Sequence, residues 1–432
     1  MIPVEEHLED ILSRVRPTRE AWLPLERAYG LVTTQPLVSE VDLPRFDNSA
    51  MDGYAVRAAD VEGIDAEKPK NIKVQGDIPA GDTEHRVLEP GMAWRIMTGA
   101  PIPEGADAVV PVEDTDDRPR ETQIRKAAES GAHIRPAGGD LRVGDLIVPA
   151  GTTIGPSQVA ALASAGVTTV PVYSPVRVVV LSTGDELVPV GEPLKAGQIV
   201  DSNGPMLAAA VRDAGYTTVH VGHVSDDEKS VKKAIDHHLS HADVIITSGG
   251  VSKGAYDAVK AVLTGQGNMK FSEVAMQPGK PQGFGVLGKR KIPVFTLPGN
   301  PVSALVSFEV FVRPALERRA GRRFRAVRRE AIVLEGWNTP AGKEQYARVT
   351  VELDTTGAYA VRPVGGGGSH MVAGLANADA LAVVPADVEE VEVGAVVEVL
   401  ELRPWGVIEA RLNAQRVQDE LERAGGRRRH RG

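Results

Sequence analysis

The sequence predicts a multidomain α/β plus β protein, and three observations predict it. At 432 residues the chain is too long for one hydrophobic core, which stops growing near about 300 residues. From residue 175 to about 312, apolar strands alternate with amphipathic helices, the texture of a doubly wound α/β sheet. Residues 44–139 and 326–404 read instead as short strands punctuated by Gly and Pro, predicting a β-rich module before the α/β domain and a small barrel or sandwich after it.

Taken in order, residues 5–16 predict a helix, because Leu8, Ile11, Leu12 and Val15 recur at three and four and Pro17 ends the pattern. A second helical piece is expected between Arg19 and Val41. NIKVQG, GMAWRIM, ADAVVPVED and TQIRKA are the β-like runs of the next module. LRVGDLIVPAGT reads as strand and turn, followed by a small-residue helix over 156–166. VRVVVLSTGDEL is a buried strand running into a polar turn, SNGPMLAAAVRDAG a helix closed by Gly, and TTVHVGHV another strand. Asp226 to Leu239 predicts a charged helix with Asp226 as its N-cap. ADVIITSGG is a strand ending in a glycine pair, and IPVFTLPGNPVSALVSFEVFV a strand, turn and long helix. The basic run RPALERRAGRRFRAVRR reads as a solvated helix end and linker. EAIVLEGW, EQYARVTVEL, AYAVRPV, ALAVVPA and AVVEVLEL alternate as strands, and residues 405–432 are expected to be a polar basic tail.

Composition removes several functions. A net charge of −9 argues against nucleic acid as the main partner, since duplex binding needs a clustered positive face. The absence of cysteine excludes disulfides, thiolate nucleophiles and Cys-ligated metal. No apolar run long enough for a transmembrane helix occurs, and the acidic start MIPVEEHLEDIL is unlike a signal peptide, so no membrane and a cytoplasmic location are expected.

Chemistry concentrates in the turns. LSTGDEL brings Thr183, Asp185 and Glu186 to a strand end, where a carboxylate suits a divalent cation. TSGGVSKGAYD, with Ser248, Gly249 and Gly250, allows the backbone close to an anion and carries Asp257. In LPGNPVSALV, which begins Leu297–Pro298, Asn300 can cap a helix, Pro301 suits its first turn, and Ser303 falls where free N–H groups favour an anion. QPGKPQGFG sets Lys280 between Pro278 and Pro281. Asp52, Asp140, Glu186, Asp226 and Asp257 stand in comparable turns, more carboxylates than one ion needs. His237 and His241 lie one helical turn apart on a charged helix and read first as a solvated face.

PRFDNSAMDGYAVR, RIMTGAPIPEGADAVVPVED, STGDELV, DSNGPML, TSGGVSKGAYD, QPGKPQGFG and LPGNPVSALVSFE, in this order, resemble the MoeA family of molybdopterin molybdenumtransferases, which includes the E domain of gephyrin. The resemblance implies a homodimer of subunits in which residues 1–43 and 140–174 form a discontinuous helical and linker domain. Residues 44–139 form an inserted β-rich domain, 175–325 a molybdopterin-binding α/β domain resembling that of adenylyltransferases, and 326–404 a β-barrel. It implies molybdate transfer to adenylylated molybdopterin with Mg2+ and release of AMP, and other molybdenum cofactor biosynthesis proteins as partners. The functional positions would be Asp52, Thr98, Asp140, Glu186, Asp226 and Asp257, with Asp52 and Glu186 holding the metal and Asp47 shaping the turn that presents Asp52. Molybdate would meet Lys280, Pro281, Ser303, Arg348 and Ser369; Thr183, Ser248, Gly249, Gly250, Pro298, Asn300 and Pro301 would complete the substrate site. Some relatives carry lysine where this chain has Gln277, which leaves one positive charge fewer. Two other readings compete with the insertase: a molybdopterin adenylyltransferase, which would consume ATP, and a non-catalytic scaffold, which would be free to lose the charged positions retained here.

Overall fold

The computed structural model describes residues 1–251, 258–266, 268–324, 326–366 and 368–429, with side chains as far as 417. The chain divides into two compact units, Met1–Arg19 with Tyr173–Gly432, and Glu20–Val172.

In the larger unit the N-terminal helix Val4–Arg14 buries Ile11, and Val15 follows it into the same core with Val176, Phe284 and Phe311. The sequence reading grouped residues 1–43 together; here the chain as far as Arg19 packs with 173–432, because the apolar stripe of this helix finds its partners there.

The α/β sheet has the order Thr217–Val224, Arg177–Thr183, Val244–Ser248, Ile292–Leu297, Pro281–Leu287, Lys270–Glu273. Its first four strands are parallel. The last two are antiparallel, a departure from a wholly parallel sheet. Residues 288–291 link Pro281–Leu287 to Ile292–Leu297 with a turn far too short for a crossover, and Gly288 and Lys291 take φ of 67° and 50° to make it. Alternate residues of the central strands face opposite layers. Val178, Val180, Val244 and Ile246 meet Leu207 and Val211 of the helix Asn203–Asp213. Val179, Leu181 and Ile245 meet Val231 and Ile235 of the helix Glu228–His238, and Val259 and Leu263 of Ala258–Thr264. Each such fully buried side chain contributes about 1.5–3 kcal/mol, enough together to fix register and the positions of the strand ends. The cap of Glu228–His238 is Asp227, whose carboxylate accepts from the Ser230 N–H at 2.9 Å, and not Asp226 as the sequence reading had it.

Beyond Ile292–Leu297 the chain enters the helix Pro301–Ser307, a π-helical turn Phe308–Val312 and the helix Arg313–Arg319. Burial pushes the Glu309 carboxyl up to about 7, with the adjacent Arg313 guanidinium, 2.9 Å away, opposing it. A raised carboxyl stabilises fully below its unfolded value of 4.5, and that stability is lost as pH rises through about 7. Glu309→Gln, which imitates the protonated form, is therefore expected to melt higher than the parent at pH 8 and alongside it at pH 5. Calorimetric scans at the two pH values check this; an equal offset at both would remove the assignment.

The strands Arg328–Val333, Glu344–Leu353, Tyr359–Pro363, Ala380–Val384 and Val396–Glu401 close into a five-stranded barrel, the ring completed by antiparallel pairing of Glu344–Leu353 with Ala380–Val384. Its interior holds Val349, Val351, Val361, Ala382 and Val399. Residues 405–429, expected as a tail, form a helix instead. Trp405, Ile408 and Leu412 recur at three and four and bury against the barrel, an apolar stripe that the surrounding charge obscured.

In the smaller unit a five-stranded sheet runs Ala108–Pro111, Gly53–Val56, Met92–Ile96, Lys70–Ile78, Glu121–Ile124. Tyr54, Val56, Ile72, Val110 and Ile124 fill one of its cores. The second helix expected between Arg19 and Val41 is a single turn, Leu25–Ala28. Pro24 and Gly30, at φ 77°, bracket it and leave no room for more.

Candidate functional site

The strands Arg177–Thr183, Val244–Ser248 and Ile292–Leu297 end at the same edge of the sheet, and their following turns line a cleft of about 640 Å³. Thr183 donates to the Ser248 carbonyl at 3.3 Å and so joins two of these turns. Gly249 follows at φ 97°, and a Cβ there would lie 2.7 Å from the Thr183 carbonyl oxygen, so the approach admits glycine alone. The Glu186 carboxylate folds back over Gly184, and Asp185 accepts from the Asp226 N–H at 3.0 Å, which brings the loop carrying Asp226 to the rim.

Twelve of the residues anticipated from sequence line this cleft: Thr183, Glu186, Asp226, Ser248, Gly249, Gly250, Lys280, Pro281, Pro298, Asn300, Ser303 and Ser369. Asp257 lies outside the described residues. Pro301 opens the helix behind the cleft without lining it.

Two of the polar lining residues are not anticipated from the sequence. Asn203 is buried and donates at 2.6 Å to both Ser248 Oγ and the Gly299 carbonyl, tying two turns together. Its Oδ1 is buried with no hydrogen-bond partner among the described residues. The run SNGPMLAAAVRDAG reads locally as a helix and nothing more, and the tie to Ser248 spans 45 residues, so no local signal could have exposed it. Lys343 is the second. The short strand Met276–Gln277 pairs in parallel with Glu344–Gln345, which carries Lys343 to the mouth of the QPGKP turn. Lys280 forms an ion pair with Glu273 at 3.1 Å, whereas Lys343 makes no hydrogen bond or ion pair among the described residues. The positive charge that Gln277 does not supply is thus available from a distant loop.

Asn300 stands at the N-cap position, but its side chain does not cap. It donates to Ser369 Oγ at 2.9 Å, and the Ser369 carbonyl accepts the Val302 N–H at 3.2 Å in its place. Ser369 is therefore bound to the helix start by both its backbone and its hydroxyl. Arg348 is 5% exposed, and its guanidinium donates to the carbonyls of Met371 at 2.6 Å, Gly368 at 3.2 Å, Gly365 at 3.3 Å and Gly366. These contacts engage the donors anticipated for molybdate in holding the glycine loop that presents Ser369. Arg348 also lines an adjoining hollow of about 320 Å³ with Gln277 and Ser369.

In the smaller unit, Asp52 Oδ1 accepts from the Thr98 backbone N–H at 2.6 Å and from its hydroxyl at 2.7 Å. These two bonds hold the exposed Asp52 carboxyl below its ordinary value, backbone bond first, and leave Oδ2 outside the pair. Asp47 accepts from the Ala137 N–H at 2.7 Å and so anchors the turn that presents Asp52. Asp140 is exposed on the loop that pairs with Leu43, its backbone N–H donating to the Leu43 carbonyl at 2.9 Å.

Three family models match the sequence. The MoeA N-terminal region (domain I and II) covers residues 2–166, a probable molybdopterin binding domain covers 179–318, and the MoeA C-terminal region (domain IV) covers 330–402. Molybdopterin molybdenumtransferase 2 of Mycobacterium tuberculosis is 43% identical over 93% of this chain and 100% of its own length. Molybdopterin molybdenumtransferase of Bacillus subtilis is 32% identical over 94% and 97%. A crystal structure of the molybdopterin biosynthesis moeA protein from Pyrococcus horikoshii OT3 superposes with a TM-score of 0.72 at 27% identity, covering 93% of this chain and 100% of that one.

Proposed function

The chain belongs to the MoeA family, and from that membership we propose that it transfers molybdate to adenylylated molybdopterin, releasing AMP, as a Mg2+-dependent step of molybdenum cofactor biosynthesis. One observation carries the reading: a single cleft is lined by the carboxylates of Glu186 and Asp226, the amines of Lys280 and Lys343, and the hydroxyls of Ser303 and Ser369. Such a set suits a phosphorylated substrate and an oxyanion side by side.

Carboxylate oxygens fit a hard cation, so Glu186 is assigned to Mg2+. When bound, the ion withdraws charge from phosphoryl oxygens. Lys280 and Lys343 balance the charge of molybdate. Ser303 and Ser369 donate to its oxygens, and Gly249 and Gly250 admit the pterin phosphate close to the backbone. Asn203 keeps the turns after Ser248 and Leu297 at fixed separation. The chain's own sequence has no cysteine, so both dithiolene sulfurs that receive molybdenum belong to the substrate. A homodimer, a cytoplasmic location and contact with other cofactor-biosynthesis proteins belong to the same proposal.

The test is AMP release by the purified chain from adenylylated molybdopterin, with molybdate and Mg2+ added singly and together, light scattering reporting the assembly. Release that needs both, with molybdenum retained on the pterin, is expected. ATP consumption would favour an adenylyltransferase instead, and tight pterin binding without release would favour a scaffold.

A further inference from the structure

Four histidines outside the cleft meet where the end of the helix Glu228–His238 crosses the edge strand Thr217–Val224. His237, His238 and His241 each offer a ring nitrogen, and these nitrogens lie within 4.8 Å of one another. The three rings stand 4.9, 5.1 and 4.9 Å apart between centroids, and His220 stacks on His238 at 4.6 Å. A chance row of surface histidines one helical turn apart does not produce this convergence. It arises because the chain turns back directly after the helix, the His241 N–H donating to the His238 carbonyl at 3.2 Å, and folds His241 over the helix end.

We propose that His237, His238 and His241 form a binding site for a borderline transition-metal dication of the Zn2+ class, distinct from the carboxylate cleft. The donor set decides the class. Imidazoles without a carboxylate suit Zn2+, Co2+ or Ni2+ and do not suit Mg2+ or Ca2+, and three of them leave a fourth position to solvent or an exchangeable ligand.

The hydrogen bonds around the cluster prepare it. Ser240 Oγ donates to the His237 carbonyl at 2.9 Å and lies 3.2 Å from His241 Nδ1. With its proton so committed, Ser240 Oγ accepts from His241 Nδ1–H, which fixes the tautomer and turns the Nε2 lone pair inward. That lone pair lies 2.9 Å from His238 Nδ1. Nitrogens on one tetrahedral Zn2+ sit about 3.3 Å apart, given Zn–N bonds of about 2.0–2.1 Å, so small ring rotations suffice for capture. Metal entry moves the His238 proton from Nδ1 to Nε2 and replaces the N–H···N bond with two N–metal bonds. Arg177 and Arg290, whose charges act on His241, each pair with Asp243 at 2.8 Å, which lessens their repulsion of an incoming dication.

The test titrates the metal-free full-length chain with Co2+ and follows visible absorption, which is strong for tetrahedral nitrogen ligation and weak for an oxygen-liganded octahedral site. One equivalent is expected to bind with a strong band that Zn2+ displaces. His237 is exposed and His241 half-buried, so the His237→Gln/His241→Gln double variant is expected to keep its far-ultraviolet dichroism while losing the band. Its Zn2+ affinity should fall by at least the roughly 10–100-fold that loss of even a supporting partner costs. No band in the parent protein, or a band that survives in the double variant, overturns the proposal.

Discussion

Glu186→Gln is expected to lower AMP release from adenylylated molybdopterin by about 10²–10³-fold while leaving the melting temperature unchanged. The Glu186 side chain lies over Gly184 at the cleft, and no packed core depends on it. Glutamine keeps its length and one oxygen but removes the charge that a hard cation requires. The loss should therefore be partly recovered by raising Mg2+, because a weakened ion site saturates later. Release measured across a Mg2+ series separates this from damage to pterin binding, which added Mg2+ leaves unaltered. A variant with parental activity at low Mg2+ would end the assignment of Glu186 to the ion.

Arg348→Ala is expected to be the most disruptive single substitution in the barrel. Its guanidinium is buried and gathers the carbonyls of Gly365, Gly366, Gly368 and Met371. Removing it strands those acceptors and costs roughly 3 kcal/mol, which should appear as a lowered melting transition. The same loop carries Ser369, whose carbonyl and hydroxyl bind the start of the helix Pro301–Ser307, so half-saturation by molybdate should rise together with the instability. Arg348→Lys restores the charge but not the planar fork, and is expected to recover part of the melting temperature without recovering molybdate affinity. Were Arg348→Ala to melt like the parent and lose anion affinity alone, the guanidinium would be a direct molybdate ligand instead.

The α/β core was legible because its strands are buried on both faces. Val178 to Leu181 and Val244 to Ile246 must be apolar without interruption, and such runs stand out in any sequence. The turns of the cleft were legible for a related reason: the close Thr183 carbonyl demands glycine at 249, and Pro298 and Pro281 stiffen the neighbouring turns, so their identities are conspicuous. Asp226 illustrates the limit of this reading. Two adjacent aspartates precede the helix, either able to cap it, and the main-chain path alone assigns the cap to Asp227. The C-terminal helix was hidden because three apolar residues, Trp405, Ile408 and Leu412, carry its packing within a strongly charged segment.

The sequence by itself determined the succession of β-rich, α/β and β segments and most residues of the cleft, since periodicity and turn chemistry are local properties. Tertiary structure alone decided the rest. Parallel pairing of Met276–Gln277 with Glu344–Gln345 set Lys343 beside a loop some sixty residues earlier, strand alternation put Arg348 on the outer face of the closed barrel against a glycine loop, and a chain reversal gathered three histidines. Each depends on contacts between residues whose spacing carries no local period, and so is fixed when the whole core packs.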